Sequence, residues 1–240
     1  MNIKIVKPNP WKPFTEIPVP SSQPIEKSKK ENVNNIVSLP GISPLLMLII
    51  LDLIAYFFDQ IKTRIERLGC SVRAFEEAKR EGVEKKLFIE SYAGKLLNLI
   101  STKKAFELLQ RKCPYERSVS IEHSYYVLWN QHYLNRIPRY RKVVCEYPLG
   151  KFKASSDNVA FTHDGQREAF EVTLSTSNIL ANAVKYSDTD FSRIVFVCRH
   201  YQLKEAVKAC CREGSLSDDL LQRLDYMQLS SLVRNAKMNS

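Results

Sequence analysis

The spacing of apolar and polar positions changes three times along the chain. Residues 1 to about 40, with "KPNPWKPF" and "PVPSSQPIEKSKKENVNN", follow neither a helical nor a strand period, and their Pro, Ser and Lys content predicts a basic tail over 1–42. Such a tail is either solvated or an arm that touches phosphates or a partner protein. From Leu45 to about Leu68 the pattern turns helical, with Leu53, Phe57, Phe58, Ile61, Ile65 and Leu68 near a 3.6 period, and Gly69 supplies a stop. Ser71 then stands at an N-cap position, and a second helix is predicted with Val72, Phe75 and Ala78 inward and Gly82 at its end. "KKLFIESYAGKLLNLIS" reads as two strands about a turn at Ala93 and Gly94, and "TKKAFELLQRK" as a further helix.

Helix, turn, helix, strand, turn, strand, helix over 43–114 is the order of a winged-helix module. In that arrangement Arg73, Lys79 and Arg80 lie on the second helix and Lys95 beside the wing, where contacts to phosphate are useful. The same order also suits a small α+β bundle whose basic residues are only solvated.

The rhythm of 115–240 is different. "IEHSYYVLWNQHYLNRI" predicts an amphipathic helix with Ile121, Tyr125, Leu128, Trp129 and Tyr133 on one side. Three strand-like runs follow, "RKVVCEYPLG", "SDNVAFT" and "REAFEVTLS", the last two joined by the turn "HDGQ". A helix in "SNILANAVKYSD", an apolar strand "RIVFVCR" and helices near 201–212 and 216–235 complete an αβββαβα order.

Composition adds a partner class. Lys and Arg number 36 against 26 Asp and Glu, a formal charge of +10 that favours polyanionic partners such as DNA or an anionic surface, or serves solubility alone. Six cysteines without a CxxC pair argue against a zinc cluster or a disulfide scaffold and for a reducing, cytoplasmic setting. The four histidines have no metal-ligand spacing and read as ordinary surface or core residues. "PLLMLIILDLIAYFF", Pro44 to Phe58, is shorter than the roughly 20 residues of a spanning helix and is interrupted by Asp52, so it reads as a buried helix and no membrane partner is expected.

Two carboxylates carry the candidate chemistry. The alternation of a strand puts Phe170, Val172 and Leu174 on one face of "AFEVTLS" and Glu171 and Thr173 on the other, and Asp157 opens the preceding strand of the same hairpin. Two acids held close repel unless a cation or proton intervenes. A hard divalent ion, Mg²⁺ or Mn²⁺, accepts one or two carboxylates, a backbone carbonyl and waters. On an arbitrary hairpin both acids would simply be solvated.

The order of elements and these acids together resemble the PD-(D/E)xK superfamily, the restriction-endonuclease-like fold with an αβββαβ core. The resemblance covers roughly Ser118 to Tyr201. It implies an α/β domain preceded by the small winged-helix domain, as in replication-relaxation-type proteins of mobile elements. It further implies DNA as partner, Mg²⁺ or Mn²⁺ as cofactor, and an assembly that a homodimer would satisfy. Asp157, Glu171 and the carbonyl of Val172 take the metal positions, with Glu122 of "SIEH" in the place of an acid on the first helix. The family's lysine is Thr173 here, a departure, since a neutral hydroxyl cannot stabilise charge at the phosphorus. Lys185 on the next helix, or Lys151 and Lys153 before Asp157, are the candidate replacements, and without one of them the fold is a binding scaffold rather than a nuclease.

Overall fold

The computed structural model describes residues 41–115, 120–150 and 154–232. The expected tail and the candidates Lys151 and Lys153 lie outside them. The fold is mixed α/β. Helices α1 (Pro44–Ala55), α2 (Ile61–Leu68) and α3 (Val72–Glu84) precede a hairpin of β1 (Phe88–Ala93) and β2 (Leu96–Ser101), then α4 (Lys103–Leu108) and α5 (Ile121–Leu134). Strands β3 (Tyr140–Pro148), β4 (Ser155–Thr162) and β5 (Arg167–Thr173) follow, then α6 (Ile179–Val184), β6 (Arg193–Cys198), α7 (Tyr201–Glu213), α8 (Asp218–Arg223) and β7 (Leu224–Gln228).

The helix predicted from Leu45 to Leu68 is interrupted, and buried charge explains why. Asp52, inside the apolar run, and Arg64 are 6% and 2% exposed, and Arg64 Nη1 donates to Asp52 Oδ2 over 2.5 Å. The same guanidinium collects the carbonyls of Asp52, Tyr56, Phe57 and Asp59. A helix end leaves such carbonyls without partners, and a cation there satisfies them. The five-residue break thereby turns Phe57 and Phe58 toward Tyr125 of α5. One inward assignment on α3 also fails: Phe75 and Ala78 are buried, but Val72, in the helix's first position, is 64% exposed.

The five-stranded sheet runs in the order β3-β4-β5-β6-β7, antiparallel from β3 to β5 and parallel from β5 to β7. The β4–β5 turn is tight because Gly165 adopts φ +86°. A helix was expected through 216–235, whereas α8 stops at Arg223 and β7 takes its place. Strand β6 is apolar on both faces, and β7 pairs along a side of it that would otherwise be an open edge.

Helix α5 covers one face of the sheet, packing Tyr126 and Trp129 in one core with Phe170, Val172, Val195 and Val197. On the other face Val159, Ala169, Ile194 and Phe196 pack with Ile179 and Ala183 of α6 and Leu203 and Val207 of α7. Strand β5 is therefore buried on both sides, and Glu171 and Thr173 are buried rather than solvated. A third core joins α1, α3 and the hairpin through Leu46, Ile50, Phe75, Phe88 and Leu99. Neighbouring residues of β2 point opposite ways, so Leu99 enters this core while Ile100, with Ala93, enters the core of α5 and the sheet. The boundary expected near residue 114 is thus crossed by continuous packing.

All six cysteines are free thiols. Among the described residues no helix is long and apolar enough to cross a membrane.

Candidate active site

The site forms where β4 and β5 part. Their pairing ends at Asn158 and Phe170, after which β5 continues only beside β6. The N–H of Val172, which a longer β4 ladder would have used, donates instead to Asp157 Oδ2 over 2.8 Å. Asp157 N in turn lies 3.4 Å from Glu171 Oε1. The two acids are brought to the same point by a sheet that opens there.

The loop and helix after β5 supply the positive charge. Lys185, the C-cap of α6, donates from Nζ to Glu171 Oε2 and to the carbonyl of Ser155, each over 2.8 Å. The next residue, Tyr186, is fully buried and donates a short hydrogen bond to Glu171 Oε1. Thr173 is buried, with Oγ1 3.3 Å from the carbonyl of Glu171. Among the described residues the ammonium at these acids comes from Lys185.

Burial raises the proton affinity of Glu171 first, the Asp157 charge raises it further, and the Lys185 ammonium and Tyr186 hydroxyl offset only part of this, leaving it at about 7. Tyr186 is in turn held protonated by burial and by the Glu171 charge.

Two further groups belong to the site that sequence reasoning left out. His123, read as an ordinary histidine, lies at the first turn of α5 with Nε2 3.2 Å from Asp157 Oδ2. Burial lowers its proton affinity, but the hydrogen bond to Asp157 and the Asp157 charge, with a backbone hydrogen bond to the Val172 carbonyl, outweigh it and raise the pKa. Glu146 of β3, in the left-handed region at φ +50°, lies between the pairs Cys145↔Asn158 and Tyr147↔Ser156, at the level of Asp157. Its carboxyl accepts from Ser155 Oγ, and burial together with the Asp157 charge raises its pKa. The signals were present only as an "EH" pair at a helix start and a lone acid in an apolar strand, neither of which singles out a site.

Glu122, expected to assist at the metal, turns elsewhere. Its carboxylate accepts from Ser91 Oγ of β1 over 2.5 Å and pairs with Arg199 after β6. The basic residues of α3 are also partly committed: Lys79 pairs with Glu76 and Glu90, and Arg73 with Glu77, while Arg80 and Lys95 are exposed. Helix α3 also carries Glu76, Glu77, Glu81 and Glu84, so it is not a basic helix.

Among the described residues no three His, Cys, Asp or Glu side chains converge as a complete metal shell. A hydrated Mg²⁺ needs less, one or two carboxylates with several waters retained. Asp157, Glu171 and the Val172 carbonyl meet that requirement, and the His123 imidazole, whose pKa Asp157 and the Val172 carbonyl raise against the effect of burial, faces the same point.

No family model, curated protein or solved structure matches the chain.

Proposed function

We propose that this chain is a DNA-binding protein with a divalent-metal-dependent phosphodiesterase site of the PD-(D/E)xK, restriction-endonuclease-like type, preceded by helices and a hairpin in winged-helix order. The observation that carries the reading is the Lys185 ammonium 2.8 Å from Glu171, because it supplies from α6 the charge that Thr173 cannot. The α5-β3-β4-β5-α6-β6 order, with the acids where the sheet opens, supports the same reading. So does the net charge of +10, which favours a polyanion.

Asp157, Glu171 and the Val172 carbonyl would hold Mg²⁺ or Mn²⁺. Held there, such an ion would supply Lewis-acid chemistry, making water a better nucleophile and offsetting charge on a phosphoryl group. Lys185 orients the attacking water and offers a positive charge to the phosphate, while Tyr186 fixes the Glu171 carboxylate. His123 holds Asp157 in its orientation. Nicking of supercoiled plasmid by the full chain with Mg²⁺ or Mn²⁺ tests the reading. Metal-dependent nicking lost in Asp157→Ala supports it; nicking equal in both proteins overturns the assignment.

One observation favours a second reading, a DNA-binding or replication-control factor with a degenerate nuclease fold. Both oxygens of Glu171 already accept hydrogen bonds, from Lys185 and Tyr186, and a metal would have to share the carboxylate with them. Salt-sensitive DNA binding without any divalent-metal affinity in calorimetry is its signature.

A further inference from the structure

A cleft between the α1–α2 break, β2 and the C-terminal half of α5 is lined by Phe58, Lys62, Lys95, Asn98, Trp129 and Tyr133, among others. Trp129 and Tyr133 lie six and ten residues beyond His123 on α5, roughly 9 and 15 Å along the helix, and no residue of the acidic site lines this cleft.

Its walls carry several donors. Trp129 and Tyr133 are 1% and 7% exposed as residues, but neither the indole N–H nor the phenol hydroxyl is among the buried polar atoms left without a partner, and both side chains line the cleft. An indole N–H can only donate, so a group that meets it there must accept. Burial holds the Tyr133 hydroxyl in its protonated form, so it too remains a donor. Lys95 is exposed and unpaired among the described residues, and Lys62 has only a 3.9 Å contact with exposed Glu66. Asn98 donates weakly to the Leu96 carbonyl and to Tyr126 and leaves its own carbonyl oxygen free. The lining thus combines two ammonium groups, an indole N–H, a phenol hydroxyl and an amide with the ring of Phe58 and the side chains of Leu96 and Leu97.

We propose that this cleft binds a nucleoside phosphate, its base against the apolar wall and the Asn98 amide, its phosphates between Lys62 and Lys95. An excess of donors selects an acceptor-rich anion, and the apolar wall selects one with a flat, weakly hydrated part. A free nucleotide and the phosphorylated end of a strand share this chemistry.

The test uses the full chain in a Trp11→Phe background, so that Trp129 is the fluorescent reporter, in EDTA to silence any divalent-metal site. The probes are ATP, tripolyphosphate and a 5′-phosphorylated oligonucleotide. Saturable change of Trp129 emission by ATP, at least tenfold weaker with Lys95→Glu and with tripolyphosphate, and unaltered by Asp157→Asn, is the expected result. Saturation by the oligonucleotide but not by ATP identifies a strand end as the source. No saturable change with millimolar ATP or with the oligonucleotide, or equal affinity in Lys95→Glu, overturns the proposal. Lys95 and Lys62 are surface residues, so their variants fold. Because neither metal nor cleavage enters the measurement, its outcome is independent of whether the protein cuts DNA.

Discussion

Lys185 Nζ and Glu171 Oε2 lie 2.8 Å apart although fourteen residues separate them, because α6 folds back across the face of β5 on which Glu171 stands. The pair sets a positive charge at the end of the helix against a buried acid of the strand. Under the proposed nuclease reading, the strand position for that charge is Thr173.

If Lys185 serves the phosphoryl group, Lys185→Ala lowers metal-dependent nicking by about 10²- to 10³-fold, the range for removal of one preorganised charge stabiliser. Moving the charge back, in Lys185→Ala with Thr173→Lys, restores part of the rate. A plasmid-nicking time course of the three proteins checks both outcomes, and a single variant with undiminished nicking refutes the role.

The raised pKa of Glu171 sets a pH dependence. Folding takes up a proton here between the ordinary carboxyl range and about pH 7, so the native state binds more protons than the unfolded chain in that window. Stability from this site is therefore present at low pH and falls as pH rises through it. The raised pKa of His123 acts in the same direction. Urea denaturation at pH 5 and pH 8 should show a stability decrease that is smaller in Glu171→Gln. Mg²⁺ competes with the same proton, so its affinity by calorimetry should increase over that range.

The buried pair Asp52–Arg64 makes a third prediction. Arg64→Ala leaves the Asp52 carboxylate beside Arg67 alone and frees the carbonyls of Tyr56 and Phe57. Removing one partner of a buried ion pair costs about 3–5 kcal/mol. Replacing both, as in Asp52→Leu with Arg64→Met, should recover stability without restoring the helix break, since the released carbonyls keep no donor. Denaturant midpoints of the single and double variants test this.

Gly82 makes a fourth. It sits inside α3, where glycine costs helix stability, but a β-carbon there would overlap the ring of Phe88 and come within 2.9 Å of Leu46 Cδ1. Gly82→Ala should destabilise by about 1–3 kcal/mol despite its better helix propensity. Thermal unfolding with an unchanged or raised midpoint would disprove the packing argument.

Alternating and 3.6-residue periods were enough to place most helices and strands, because side-chain direction in each is fixed by local geometry. They did not show the break after Ala55, which depends on Arg64 reaching back twelve residues to Asp52. Nor did they show β7, since a short segment of mixed character becomes a strand only where β6 offers it an edge. At the site, Asp157, Glu171 and Lys185 could be read because their types and order are informative. His123, Glu146 and Tyr186 could not, because they reach the site through the end of α5, a left-handed residue in β3 and the packing of α6. The diversion of Glu122 was equally hidden, since Ser91 lies 31 residues before it and Arg199 lies after the whole of β3 to β6.

The insertion of β2 between two cores makes a deletion experiment uninformative in its simplest form. Cutting the chain near residue 115 would strip Ala93 and Ile100 from Tyr125 and Tyr126 and bare the aromatic flank of α5, while Glu122 would lose Ser91. A fragment made in this way is expected to aggregate, whatever chemistry the sheet performs, so an inactive C-terminal fragment would report on solubility and say nothing about its acids.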